Sequence, residues 1–559
     1  MKKIRMVLAA AAAFSLAACT GTKSTASSAA AQVLTGTADG FGGTITAEVT
    51  VDDSGKITDL VLTGKDETPD VGGKALPQLQ EAIKDAGTID GVDGVSGATY
   101  TSKGVFNAVR NALGIETAAP SEAAAEAVSA SGLKQGLAVV STPRLGPGKD
   151  DKDVPVYSFN EVVAYVISDG DGRIVDLEVD IMELITPNHD GKEDNYLGMW
   201  PGQTYNLDAD GDGTAEGTLE ETEDAWTERI SGFQTKRQLG DSYKLNSGTW
   251  TQEMDLYEEW MKGKTADEIQ AAFAAEFSDV NGRPLNGKSD KDEDTAKAGK
   301  LTEDQKADID SLSGATMSLK DGHGDIIGAV TAALENAQPL RSDSDISSLG
   351  LGINAVPRLG PGADDKDVPV YSFNITAVGA VYDADGKIVD SKADVLEVIT
   401  PNHDGKEDNY LAGWPGQTYN QDSDADGAVD GELTENEDDW LARIEQFRSK
   451  RAIGDGYKIN SGTWAQEMDI YESWFVGKTA AELSDQFSAL FSDVNGRPLN
   501  GKSDKDEDIA KAEKLTDGQK SELDALSGAT MSLDDAHGNL IGAVESSYEN
   551  AKSSVIQNH

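Results

Sequence analysis

The chain has 559 residues and a formal net charge of −51, from 99 acidic and 48 basic side chains. That balance excludes a nucleic-acid binder, whose affinity rests on cations laid against phosphates, and a protein docked on anionic lipid head groups. Hydrophobic residues make up 38% of the chain, which supplies several small cores rather than one large one.

Lys2, Lys3 and Arg5 open the chain, and residues 6–18 follow as a short apolar run. Its length suits the core of an export signal and is too short to cross a bilayer as a helix. The run ends in Leu16-Ala17-Ala18-Cys19, which resembles the bacterial lipobox. That resemblance implies that residues 1–19 are a signal with a lipidated Cys19. The mature protein would then sit at the outer face of the cell membrane, touching the membrane through the lipid alone. An ordinary cleaved signal is the alternative. Cys19 is the single cysteine. No thiol remains for a disulfide, an iron–sulfur cluster, a Cys-type zinc site or a c-type haem. Electron transfer by this chain therefore requires an organic cofactor.

Residues 20–32, rich in Ser, Thr and Ala, read as a tether. Residues 33–115 form a small first domain. Thr44 to Val51 alternate apolar and polar as a strand does. Asp52-Asp53-Ser54-Gly55-Lys56 supply a turn, and a second strand runs from 57 to about 62, which predicts a hairpin. Val105, Val109 and Leu113 fall at helical spacing, with Thr101 or Ser102 as the N-cap. Residues 116–132 are an Ala/Ser linker. A tandem duplication follows: Pro143 recurs as Pro357, Ile185 as Ile399 and Ser313 as Ser527, always at the same offset (357 − 143 = 214). The copies are two large domains, 133–340 and 347–555, joined by 341–346. Each opens with a hairpin, at 162–168 and 174–182 in the first and at 377–382 and 388–396 in the second. A long, mainly helical insertion comes next. One of its helices, at 265–277, carries a capping box at Thr265 and Glu268, echoed by Thr479 and Glu482. The predicted class is α+β: three domains of antiparallel sheet and helices, the second and third enlarged by the insertion.

Asp208, Asp210, Asp212 and Gly213 open a DxDxDG calcium-type loop, as do Asp422, Asp424, Asp426 and Gly427. Leu219 and Leu433 stand where the loop needs a glutamate, with Glu221 and Glu435 two residues on. A calcium site and a solvated acidic loop are equal readings. The tryptophans, Trp200, Trp226, Trp250 and Trp260 with Trp414, Trp440, Trp464 and Trp474, all lie in the duplicated region. Core packing is preferred to flavin stacking for them. His189, His323, His403 and His537 fall in no zinc-like cluster, so they read as loop hydrogen-bonders.

Three segments share one signature: Asp93 with Ser96-Gly97-Ala98-Thr99, Asp310 with Ser313-Gly314-Ala315-Thr316, and Asp524 with Ser527-Gly528-Ala529-Thr530. Each precedes an apolar helix; Thr99 lies just before its own, whereas residues 317–324 lengthen the path from Thr316, and their repeat that from Thr530. A helix N-terminus aims free N–H groups and a positive dipole at an anion. The signature resembles the acceptor motif of the FMN-binding domain of flavin subunits in sodium-pumping quinone reductases and Rnf-type complexes. The resemblance implies FMN joined through its phosphate to Thr99, Thr316 and Thr530 by a flavin transferase. It further implies a multi-flavin electron carrier between a membrane donor and an extracellular acceptor, with the flavin domains swinging on tethers. No GxGxxG follows a strand, so a carrier is favoured over a self-contained reductase. The alternative is a non-redox, calcium-binding surface protein in which the motifs of the repeats are relics.

Overall fold

A computed structural model describes most residues of 32–113 and 132–556. Residues 1–31, 114–131, 145–156, 186–194, 208–216, 359–370, 400–408, 422–430 and 557–559, with several shorter stretches, lie outside that description. The chain divides into two units, Met1–Thr117 and Ala118–His559.

In the first unit, β1 (Gln32–Asp39), β2 (Thr44–Val51) and β3 (Ile57–Thr63) form an antiparallel meander. The alternation of β2 buries Ile45, Ala47, Val49 and Val51 on one face. Two helices cover that face. In α1 (Gly72–Ala86), Ala75, Leu76, Leu79 and Ile83 turn inward at helical spacing. In α2 (Thr99–Leu113), Val105, Ala108, Val109 and Ala112 do the same. The last helix lies directly on β1 at Gly36, where a Cβ would stand 2.2 Å from the Ala112 backbone nitrogen. Only glycine permits that approach.

The second unit holds both repeats. The first contributes β4 (Lys134–Arg144), β5 (Ser158–Ser168) and β6 (Ile174–Ile185), with Gln338–Pro339 returning beside β4. The second contributes Ile346–Arg358, Ser372–Tyr382 and Ile388–Ile399, with Lys552–Ile556 returning in the same way. The predicted hairpins are present, and their strands extend beyond the predicted ends. Every residue of β5 is buried. Val162, Ala164 and Val166 face the repeat's own helices, whereas Phe159, Val163, Tyr165 and Ile167 face the other repeat. A strand covered on both faces reads as a continuous apolar run rather than an alternation.

The two sheets thus share one core, and some of their contacts are reciprocal. Tyr157 donates to Glu437 at 3.3 Å, and Tyr371 donates to Glu223 at 3.3 Å. The Tyr157 ring lies 6.1 Å from Trp440, and Tyr371 lies 6.3 Å from Trp226. Exchanging each residue for its counterpart 214 positions away (371 − 157, 437 − 223) regenerates the same pairs, the mark of an approximate two-fold axis. Tyr165 and Gly379 are counterparts that meet each other: a Cβ on Gly379 would stand 2.2 Å from the Tyr165 ring. Because the repeats share this core, the expectation of flavin domains swinging independently does not apply between them.

Candidate functional site

One helix face builds the site in each repeat. The helix Trp250–Met261 starts at a capping box of Thr249 and Gln252. Residues 253, 257 and 260 then fall at spacings of four and three, which places them along one side. Glu253 Oε2 accepts the N–H groups of Thr316 at 2.6 Å and Met317 at 2.8 Å. Glu253 Oε1 accepts the Thr316 hydroxyl at 2.8 Å. Tyr257 donates to the Met317 carbonyl at 2.7 Å. Trp260 Nε1 donates to Asp308 at 2.9 Å, on the helix Glu303–Ser311 that leads into the motif. The motif is therefore gripped on both sides of its threonine. The second repeat has the same grip from Trp464–Phe475. Glu467 takes the N–H groups of Thr530 at 2.7 Å and Met531 at 2.8 Å, and the Thr530 hydroxyl at 2.6 Å. Tyr471 reaches the Met531 carbonyl at 2.6 Å, and Trp474 reaches Glu522 at 3.0 Å. Glu253 and Glu467 are 2% and 0% exposed. A carboxyl group that deep needs such bonds to satisfy its oxygens.

The small residues of the motif serve this grip. A Cβ on Gly314 would come within 3.2 Å of Leu256, and one on Gly528 within 2.9 Å of Ile470. Ala315 and Ala529 are core residues, and their carbonyls accept from Asn286 and Asn500, each at 3.0 Å. Asp310 and Asp524 are exposed near the ends of their helices. Ser527 is half-buried, and Ser313 lies outside the described residues.

On its open side each threonine borders a cavity. That of Thr316 holds about 240 Å³ and is lined by Arg283, Asn286, Lys288, Lys291, Asp290 and Asp294 among others. That of Thr530 holds about 600 Å³ and includes Arg497, Asn500, Lys505 and Asp508. Among the described residues cations outnumber carboxylates in both linings, three to two and two to one, in a chain that is strongly acidic overall. Burial opposes the charge of Asp294, but the hydroxyls of Ser289 and Ser278, with Lys291 and Lys297, hold its carboxyl below the usual range. The arginine sits in a tight turn where Gly282 has φ +64° and a Cβ would strike Ser318 Oγ at 2.4 Å. The Gly282 carbonyl accepts the Leu319 N–H at 3.0 Å, which fixes the turn against the segment after Thr316. These groups suit the phosphodiester that FMN would form with the threonine: a hydroxyl to esterify, and guanidinium and ammonium groups for the charge. The larger cavity lies within the range usual for cofactors.

Three expectations are refined. Thr99 is the first residue of α2 rather than the residue before it, so Thr101 and Ser102 are not the cap. Both are buried in the first turn, and Ser102 Oγ accepts the Val95 N–H at 3.0 Å. Thr99 thus belongs to the turn whose N–H groups lack helical partners. Thr316 and Thr530 differ. The hairpin of Lys320–Asp321 with Gly324–Asp325 separates Thr316 from the helix Ile326–Glu335, whose cap is Asp325. The cationic side chains near Thr316 come from the facing turn instead. Finally, Glu221 and Glu435 are 1% and 2% exposed and turn toward Arg229 and Arg443, each at 3.4 Å.

Cys19, Asp93, Ser96, Gly97, Ala98, the six loop aspartates Asp208, Asp210, Asp212, Asp422, Asp424 and Asp426, and Trp200, Trp414, His189 and His403 lie outside the described residues. The other six tryptophans are buried in the cores, as preferred. His323 and His537 bond Asp321 and Asp535 in exposed hairpins, at 2.9 and 3.0 Å. Among the described residues no cluster of three or more His, Cys, Asp or Glu could hold a metal, and no helix is long and apolar enough to cross a membrane. The sequence reading missed Glu253, Tyr257, Arg283 and their counterparts. The available signal was the spacing Trp250, Glu253, Tyr257, Trp260, repeated without change as Trp464, Glu467, Tyr471, Trp474.

Residues 40–114 match the FMN-binding domain family. The chain is 33% identical over 187 residues to the chlorophenol reductase of Desulfitobacterium hafniense, a stretch covering 32% of this chain and 51% of that protein. The chain thus spans about half the length of this curated relative. Residues 40–114, which hold β2, β3 and both helices of the first unit, are thus similar to FMN-binding domains.

Proposed function

We propose that the chain is a lipid-anchored, multi-flavin electron carrier at the outer face of the cell membrane. FMN is joined by phosphoester to Thr99, Thr316 and Thr530, and electrons pass from a membrane donor to an extracellular acceptor. One observation carries the extension to the repeats. Thr316 and Thr530 each present a hydroxyl, fixed by a buried glutamate, at the edge of a cavity whose described lining holds more cations than carboxylates. Arg283 and Lys291, with Arg497 and Lys505 in the second repeat, would meet the phosphate. Bound there, FMN would supply reversible electron uptake. The name of the relative, a reductase, agrees with redox chemistry. A flavin transferase is the partner that installs the cofactor. Calcium in the DxDxDG loops belongs to the same proposal as a stiffening ion, and calorimetry on EDTA-stripped protein showing no heat at millimolar calcium would remove it.

The test is co-expression with a flavin transferase. The denatured chain is expected to stay yellow and to carry three FMN additions by intact mass. Thr99→Ala, Thr316→Ala and Thr530→Ala should each remove one addition. Colourless protein with no added mass would refute the proposal.

A further inference from the structure

We propose that Glu253 and Glu467 are the general bases that activate Thr316 and Thr530 for flavin attachment, an inference that rests on reading those threonines as acceptors. An alkyl hydroxyl is a weak nucleophile and needs a base within hydrogen-bond reach. Glu253 Oε1 stands 2.8 Å from Thr316 Oγ1, and Glu467 Oε1 stands 2.6 Å from Thr530 Oγ1. The other carboxylate oxygen in each case is occupied by two backbone N–H groups. That occupation fixes the carboxylate plane and leaves Oε1 as the oxygen aimed at the hydroxyl. The threonine oxygen is held between this base and the cavity that carries Arg283 or Arg497. Base, nucleophile and anion-binding cations therefore lie in the order an attack on a phosphoryl group requires.

The step balances. Oγ1 attacks the phosphorus of an FMN activated as a phosphoanhydride and presented by the transferase. The Oγ1–P bond forms as the anhydride P–O bond breaks, and the leaving phosphate departs with the electron pair. The hydroxyl proton passes to Glu253 Oε1, and no group is oxidised or reduced. The protonated carboxyl then faces the new ester as a donor, so no buried carboxylate confronts the added phosphate charge.

The test uses the full chain, the transferase, and mass spectrometry of the three motif peptides against time. Glu253→Gln keeps the acceptor for the two N–H groups but cannot take the proton. Its flavin loading at Thr316 is expected to slow by about 100-fold or more. Loading at Thr530 and Thr99 in the same molecules should be unchanged, which also shows that the chain has folded. Glu467→Gln should reverse the pattern between Thr316 and Thr530. Loading of Thr316 at the parental rate in Glu253→Gln overturns the base assignment while the acceptor reading stands. A parent chain loaded at Thr99 but bare at Thr316 and Thr530 overturns both.

Discussion

Gly379→Ala is expected to destabilise the second unit by about 3 kcal/mol, the upper part of the usual range for overpacking a tight core. The added methyl would lie 2.2 Å from the Tyr165 ring, well inside van der Waals contact. The ring has no route of escape. Tyr165 is fully buried, and its hydroxyl donates to Gln135 at 2.8 Å. Gln135 in turn donates across the interface to the Ser391 carbonyl at 3.3 Å. Moving Tyr165 therefore also breaks a bond between the repeats. Urea unfolding should show the loss. The cost should shrink in a Tyr165→Leu background, because removing the ring's outer atoms removes the clash. Equal unfolding midpoints for Gly379→Ala and the parent chain would mean that the sheets do not face each other at this position.

The second large effect is a fall in stability with rising pH. Glu161 points into the apolar core between the repeats, where burial pushes its carboxyl up to about 8, against an ordinary value of 4.5. Its one recorded bond is from Ser141 Oγ at 2.6 Å, and Oε1 has no partner among the described residues. Between about 4.5 and about 8 the folded chain keeps this proton while the unfolded chain releases it. Stability therefore falls as pH rises through that window, by about 1.4 kcal/mol per unit at most, and levels off above it. Glu178, also raised to about 8 by burial, adds to the slope. Glu472 works in the opposite sense in a separate window. There burial is outweighed by Arg451, Lys392 and Arg341, which hold the carboxyl at about 2. Its stabilisation is complete above about 4.5 and is lost as pH falls toward 2. Glu161→Ile, which installs the residue found at the counterpart position 375, should remove its share of the neutral-range slope and raise the melting temperature most at pH 8. Parallel melting curves against pH for the variant and the parent chain would contradict the assignment.

These two effects mark the boundary of what the sequence made legible. The hairpins, capping boxes and terminal helices follow from local periodicity and turn chemistry, and Thr44–Val51 and the box at Thr265 and Glu268 stand where that chemistry put them. The layer between the repeats does not follow from it. The run Val162 to Ile167 shows that both faces of β5 are covered, but not that the second cover is another copy of the sheet. Glu161 on such a strand looks like a break in the pattern, and only the packing reveals it as a buried acid. Glu253 was hidden for a related reason. An acid in a helix of mixed polarity reads as solvent-facing until the segment that covers it, sixty residues on, is in place. The acceptor motif was legible as a string, whereas its partners came from distant parts of the chain.

The meeting of Tyr165 with Gly379 has a consequence for how this chain came to be and what can replace it. An assembly of two identical subunits is a palindrome: a residue that meets its own counterpart on the axis meets an identical side chain. Joining both halves in one polypeptide lifts that restriction, and here the paired positions have become large and small, and at 161 and 375 acidic and apolar. Two first halves would bring tyrosine against tyrosine, and two second halves would leave an empty space between glycines. The halves have become lock and key to each other, so neither can stand in for its twin.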